Sequence, residues 1–183
     1  MIQVKGSLML DYVRLIRANR DRNWDRWLKP ADWEIINGKV LASQKFPYEL
    51  FRRIAFAVFK EIAQSNLETV RGFGRFNMRG LIQVYQASIL VPGDPMTSVR
   101  KLSQLRKLFM EGGGETRMEA RGPKGLRYEV LLPEGETHDE GTQAYAYQIA
   151  GNLEELIERA GGKQARTRVE KTLVGYEILA QWE

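Results

Sequence analysis

The sequence predicts an α+β fold in which an N-terminal helical layer packs on a small antiparallel sheet, the C-terminal half running strand, strand, helix, strand, strand. Three observations predict it. Ile149, Leu153, Leu156, Ile157 and Ala160 fall at i, i+4, i+7, i+8 and i+11. That spacing puts them on one helix face and leaves Asn152, Glu154, Glu155, Glu158 and Arg159 outside. After Gly161-Gly162, Val174, Tyr176, Ile178, Ala180 and Trp182 alternate with polar residues, as a half-buried strand requires. Upstream of Gly112-Gly113-Gly114 the apolar residues instead keep helical spacing. The chain is therefore read as a single domain, 1–183, with a helical half over 1–111 and a ββαββ half over 112–183.

In order, Gly6-Ser7 starts a helix that buries Leu8, Met9, Tyr12, Val13 and Ile16. Pro30 opens a short helix over 31–36, closed by Asn37-Gly38, and 39–46 is a connection. Pro47 precedes the most apolar helix, carrying Leu50, Phe51, Ile54, Val58, Phe59 and Ile62. A short helix over 67–71 then breaks at Gly72-Phe73-Gly74, and another runs over 76–87. Asp94-Pro95 launches a helix with Met96, Val99, Leu102, Leu105, Leu108 and Phe109 inward. Segments 115–120 and 126–132 form a hairpin about Arg121-Gly122-Pro123-Lys124-Gly125. The stretch 164–171 pairs with the final strand around a turn near Thr172.

Composition excludes several chemistries. With no cysteine among 183 residues there is no disulfide, thiolate nucleophile or Cys-ligated metal. No apolar run approaches the ~20 residues that span a bilayer, and the first residues lack a signal-peptide layout. A cytoplasmic location is the expectation. Residues 1–110 hold 19 Lys+Arg against 9 Asp+Glu, whereas 111–183 hold 9 against 14. The basic half suits a polyanion, an acidic partner or the acidic half of a second copy, and equally a set of solvated helix faces.

Single residues give little catalytic signal. His138, the lone histidine, is flanked by carboxylates in Glu136-Thr137-His138-Asp139-Glu140. A metal or acid–base role competes there with a solvated loop histidine, which is favoured because no second histidine completes a site. Arg71-Gly72-Phe73-Gly74-Arg75 has the glycines and cations of a phosphate cradle but no Walker lysine–Ser/Thr pair. A plain helix-to-helix break is preferred. Arg14, Arg17, Arg20, Arg22 and Arg26, with Trp24 or Trp27 as stacking platforms, form a candidate nucleic-acid or partner surface. Tryptophans at that spacing are more often core. No serine sits in a nucleophile elbow. Phe56, Phe59, Phe73, Phe76, Tyr85, Leu102 and Phe109 are the candidate ligand-binding residues, lining a cavity or simply filling the core.

Val4-Lys5-Gly6-Ser7, Asp32-Trp33-Glu34-Ile35-Ile36-Asn37-Gly38, Leu90-Val91-Pro92-Gly93-Asp94-Pro95 and the terminal helix-Gly-hairpin resemble an uncharacterised paralogous family best represented in myxobacteria. The element order is similar to the superfamily of heme–nitric-oxide-binding domains, 4-vinyl-reductase-type domains and TRAPP small subunits. That resemblance implies a pocket between helical layer and sheet for heme or a hydrophobic ligand, and frequent dimers. The heme family's proximal histidine lies in a pattern similar to Lys101-Leu102-Ser103-Gln104-Leu105-Arg106, with Arg106 in the histidine's place. Its Tyr-x-Ser-x-Arg propionate motif has no counterpart near Tyr128 or Tyr145-Ala146-Tyr147. The expectation is a non-enzymatic, sensor-like domain that holds a hydrophobic small molecule, binds no heme, metal or other cofactor, and acts as a homodimer or on another protein. The alternatives are a solid-core interaction module and nucleic-acid binding through the basic N-terminal face.

Overall fold

The computed structural model describes residues 2–183. Among these the fold is α+β, with six α-helices and two small antiparallel sheets. The elements are β1 (Gln3–Lys5), α1 (Gly6–Ala18), α2 (Pro30–Asn37), β2 (Lys45–Pro47), α3 (Tyr48–Glu61) and α4 (Leu67–Ile89). They continue with α5 (Pro95–Phe109), β3 (Met110–Glu111), β4 (Thr116–Ala120), β5 (Gly125–Leu131), α6 (Glu140–Arg159), β6 (Arg166–Lys171) and β7 (Gly175–Gln181). Contacts gather into two units, one of residues 1–66 and 108–113, the other of 67–107 and 114–183. The seam differs from the sequence division at 111/112, because α4 and α5 belong with the four-stranded sheet.

In the first unit α1 packs on α2 and α3. Beside them β1 lies between β2 and β3, with Val4 opposite both Phe46 and Met110. This small sheet is absent from the sequence reading, which gives 39–46 as a connection. Strands of two or three residues are too short to show alternation. Pro30 stands at the start of α2 as its fixed φ predicts, and Asp32 caps the turn by accepting the Lys29 N–H at 2.9 Å. Asp32 is 2% exposed and takes two hydrogen bonds from Arg53, at 2.7 and 3.0 Å. Burial alone would raise the Asp32 pKa, but those bonds and the Arg53 charge hold it below the ordinary aspartate value.

The second unit is organised on the sheet β4-β5-β7-β6. Leu126, Tyr128 and Val130 of β5 and Tyr176, Ile178 and Ala180 of β7 are buried, with Tyr128 opposite Ile178. Ile149, Leu153, Leu156 and Ile157 of α6 join the same core. Gly161 closes α6 at φ +105, a conformation that disfavours a Cβ. Two apolar residues read as inward are not. Val174 precedes β7 and is 61% exposed, and Leu108 is 56% exposed.

The break anticipated at Gly72-Phe73-Gly74 does not occur. One helix, α4, runs through it and kinks only at Tyr85 (φ −117, ψ 23). The glycine serves close approach rather than termination. A Cβ on Gly74 would lie 2.0 Å from the Gln148 carbonyl oxygen, and one on Gly151 would lie 1.9 Å from that of Arg71. The backbones of α4 and α6 touch at this paired glycine contact, and no two other elements pack as extensively. Glu154 and Glu155, expected outside, are therefore covered, at 5% and 3% exposure.

Candidate functional site

Two side-chain clusters on α6 differ in how their charges are met. Along the α4 crossing, arginines at i, i+4 and i+8 face the α6 carboxylates. Arg71 and Arg75 each donate to Glu154 at 2.8 Å, and Thr167 of β6 donates to it through N–H (3.1 Å) and hydroxyl (2.6 Å). Arg75 also donates to Glu158 at 2.5 Å. Arg79, at 2.9 and 3.1 Å, and Arg159, at 3.0 Å, hold Glu155. Burial pushes the Glu155 pKa up, and these arginines more than reverse it, leaving it below the ordinary glutamate value. The less favoured phosphate-cradle alternative for 71–75 gains nothing here: both arginines are ion-paired, and the segment lies inside a helix whose amides are hydrogen-bonded along the chain.

The second cluster lies where α5, α6 and β5 meet. Val99 and Leu102 of α5 lie in the core shared by α6 and the sheet, and two polar side chains of the same helix reach across to tyrosines. Ser103 Oγ donates to the Tyr128 hydroxyl at 3.1 Å, and Arg106 Nη2 donates to the Tyr145 hydroxyl at 2.8 Å. The Arg106 guanidinium also stands 5.6 Å from the centre of the Tyr145 ring. Burial opposes its charge, and Tyr145 and Tyr128 outweigh that, so its pKa stays above the ordinary guanidinium value. Among the described residues no carboxylate pairs with it. Next to this cluster a cleft of about 290 Å³ opens between α5 and β4, lined by Arg100, Ser103, Gln104, Lys107, Met118 and others.

The candidate ligand-binding residues do not form one group. Phe56, Phe59 and Phe109 belong to the first unit, where Phe56 packs edge-on against Trp27 at 5.5 Å and lies 6.2 Å from Phe59. In the second, Leu102 is in the core, Tyr85 is half-buried against it, Phe73 is half-buried, and Phe76 is 68% exposed. The basic N-terminal set has local partners. Arg14 pairs with Asp11 at 3.2 Å, Arg17 caps α2 through the carbonyls of Ile36 (2.6 Å) and Gly38 (2.5 Å), and Arg20 reaches Asn37 at 2.8 Å. Arg26 stacks over Trp27 at 4.8 Å, and Arg22 is exposed. Trp24 is no stacking platform: it is 2% exposed and donates to the Asn19 carbonyl at 2.6 Å.

His138 is not a solvated loop residue. Both ring nitrogens are buried without a hydrogen-bond partner among the described residues, and the ring meets Tyr176 edge-on at 5.1 Å. It lines a cleft of about 300 Å³ with Asp139, Glu140, Gln143, Lys171 and Tyr176. Among the described residues no three metal-ligating side chains converge, and no helix is long and apolar enough to cross a membrane. Sequence reasoning missed Tyr145 as the partner of Arg106, because a contact across 39 positions leaves no local pattern.

An antiparallel four-stranded sheet crossed by one long helix defines the α+β class, and comparison with solved structures narrows the fold. The chain shares the fold of H-NOX domains. It matches the Fe(II) unliganded H-NOX protein from K. algicida with a TM-score of 0.69 at 10% identity, covering 98% of this chain and 96% of that one. A Cs H-NOX mutant carrying 4-cyano-L-phenylalanine matches at 0.66 and 14% identity over 98% and 96%. A mutant of T. Tengcongensis H-NOX matches at 0.63 and 11% over 98% and 97%. No protein-family model matches the sequence, and no curated protein matches it significantly.

Proposed function

We propose that this chain is a non-enzymatic, sensor-like ligand-binding domain that takes a hydrophobic small molecule and not heme. The observation that carries the reading is Arg106. The resemblance puts it where the heme family has its iron-ligating histidine, and a guanidinium offers iron no free lone pair. The one histidine lies instead between β5 and α6, against Tyr176. The shared fold supports ligand binding as such, and the cluster around Arg106 argues for a different ligand. In keeping with the four sequence stretches quoted above, the chain is taken to belong to the uncharacterised myxobacterial family. It would work in the cytoplasm, as a homodimer or on a protein partner, its basic and acidic halves favouring such contacts.

Hemin titration and native mass spectrometry of the purified protein test the reading. The expected result is no Soret band on hemin addition and an excess mass per chain that disappears on denaturation. A Soret band lost in Tyr145→Phe would overturn the heme-free reading and make Tyr145 the ligand, since a phenolate can ligate heme iron. A native mass equal to the bare chain, with no uptake of apolar probes, would move the reading to the interaction module.

A further inference from the structure

We infer that Arg106 is the anchor for an anionic head group, and that the ligand class is a small acidic amphiphile, one oxyanion on an apolar body. The inference rests on the ligand-binding reading above and deepens it. A guanidinium carries five N–H donors in a planar fork suited to a carboxylate or phosphate. Tyr145 receives one hydrogen bond from Arg106, and among the described residues no other acceptor is within bonding distance. A buried cation is ordinarily neutralised by a carboxylate, because an unpaired charge in a desolvated place is costly. This chain does so for Arg53 with Asp32, and for Arg71, Arg75 and Arg79 with Glu154 and Glu155. At Arg106 it does not, and the influences on that residue come from burial and from two tyrosines.

The place is also open enough to receive something. The Arg106 side chain is half-buried and so keeps access to solvent, and a cleft of about 290 Å³ opens beside its neighbour Ser103, one turn back on α5. Ser103 and Arg106 hydrogen-bond across to Tyr128 and Tyr145 from α5, the helix whose Val99 and Leu102 lie in the core. Leu81, Tyr85 and Leu105 pack against the core of this unit and are left partly uncovered, which offers apolar surface to the body of a ligand. An oxyanion at Arg106 would supply the counter-charge that the chain itself withholds.

The test is a fluorescence titration of the full chain with a polyene fatty acid and, separately, with its methyl ester, which keeps the apolar body and removes the charge. The acid is expected to bind about tenfold or more tightly than the ester, as a charge-assisted pair requires. In Arg106→Met the acid should fall to the affinity of the ester, with the ester unchanged. Equal affinities of acid and ester for the unaltered protein would overturn the anchor while leaving an apolar pocket in place. Binding of neither probe would overturn the ligand-binding reading and the anchor with it. Because the acid–ester comparison is made on the unaltered chain, it stands even if Arg106→Met fails to fold. A shorter acidic probe, a medium-chain alkyl phosphate, distinguishes the head groups: binding at the level of the acid supports oxyanion recognition in general, and loss of that binding in Arg106→Met confirms the same anchor.

Discussion

Along the α4–α6 seam every guanidinium meets a carboxylate, whereas at the α5–α6–β5 corner Arg106 meets tyrosine oxygens and rings. Both places lie in one unit and both draw on α6, so the contrast is one of chemistry rather than of depth. At the seam two backbones touch at Gly74 and Gly151, and the arginines and glutamates beside them are paired. At the corner, among the described residues, a charge is left without an opposite. A closed ion network holds helices together. A cation without its anion is the feature on which the proposed ligand site rests.

Substitutions at these two places should therefore have unequal consequences. The largest effect is expected from Gly151→Ala, whose Cβ would meet the Arg71 carbonyl oxygen at 1.9 Å and force the helices apart. Backbone cannot rotate away as a side chain can, so a loss of about 3 kcal/mol or more is expected in a denaturant titration, well beyond the ~1 kcal/mol that alanine gains over glycine in a helix. A smaller loss would mean that the crossing is loose.

Next comes Glu155→Gln, expected to cost about 1–2 kcal/mol at neutral pH, less than a fully buried pair because Arg79 and Arg159 are half-exposed. Its pH dependence has a definite sign. The folded-state pKa of Glu155 is held below the ordinary 4.5. Its contribution is thus complete above that value and is lost as pH falls through the lower, folded one. Wild type and variant should differ at neutral pH and converge in acid. A difference that persists in acid would assign the effect to packing. The smallest effect is expected from Arg106→Met in the absence of ligand, a loss of no more than ~1 kcal/mol in the same titration, because it removes one hydrogen bond to Tyr145 and no ion pair. A loss as large as that of Glu155→Gln would show that the corner is structural and erase the contrast.

What can be read in advance follows from range. Pro30, Asp94-Pro95 and Gly161 act within a few residues, and the structure places each at the helix end its local chemistry requires, with the Thr97 N–H bonding Asp94 at 2.9 Å. The hairpins of the four-stranded sheet are legible because five to seven alternating residues carry a pattern. β1, β2 and β3 are not, being two or three residues each. Gly74 misleads because glycine has two uses, chain reversal and close approach, and only a partner helix distinguishes them. Glu154 and Glu155 read as outside because charge signals exposure until arginines on another helix cover it. Of the candidate site, the resemblance singles out Arg106, and Leu102 and Tyr85 lie in or against the core of the unit that contains it. Its tyrosine partner belongs to a different helix, and the buried nitrogens of His138 depend on Tyr176, neither of which local spacing encodes.

The pairing of β1 with β3 gives the chain an order of events. Gln3 bonds opposite Glu111, so the second residue group of the first unit arrives only after the whole of α4 and α5 has been synthesised. As the chain leaves the ribosome, the edge of β1 on that side stays unpaired through all of that synthesis, and the four-stranded sheet cannot close until β7 emerges later still. Neither unit can be excised by a single cut. A truncation anywhere between α3 and β3 would strand a bare strand edge on β1.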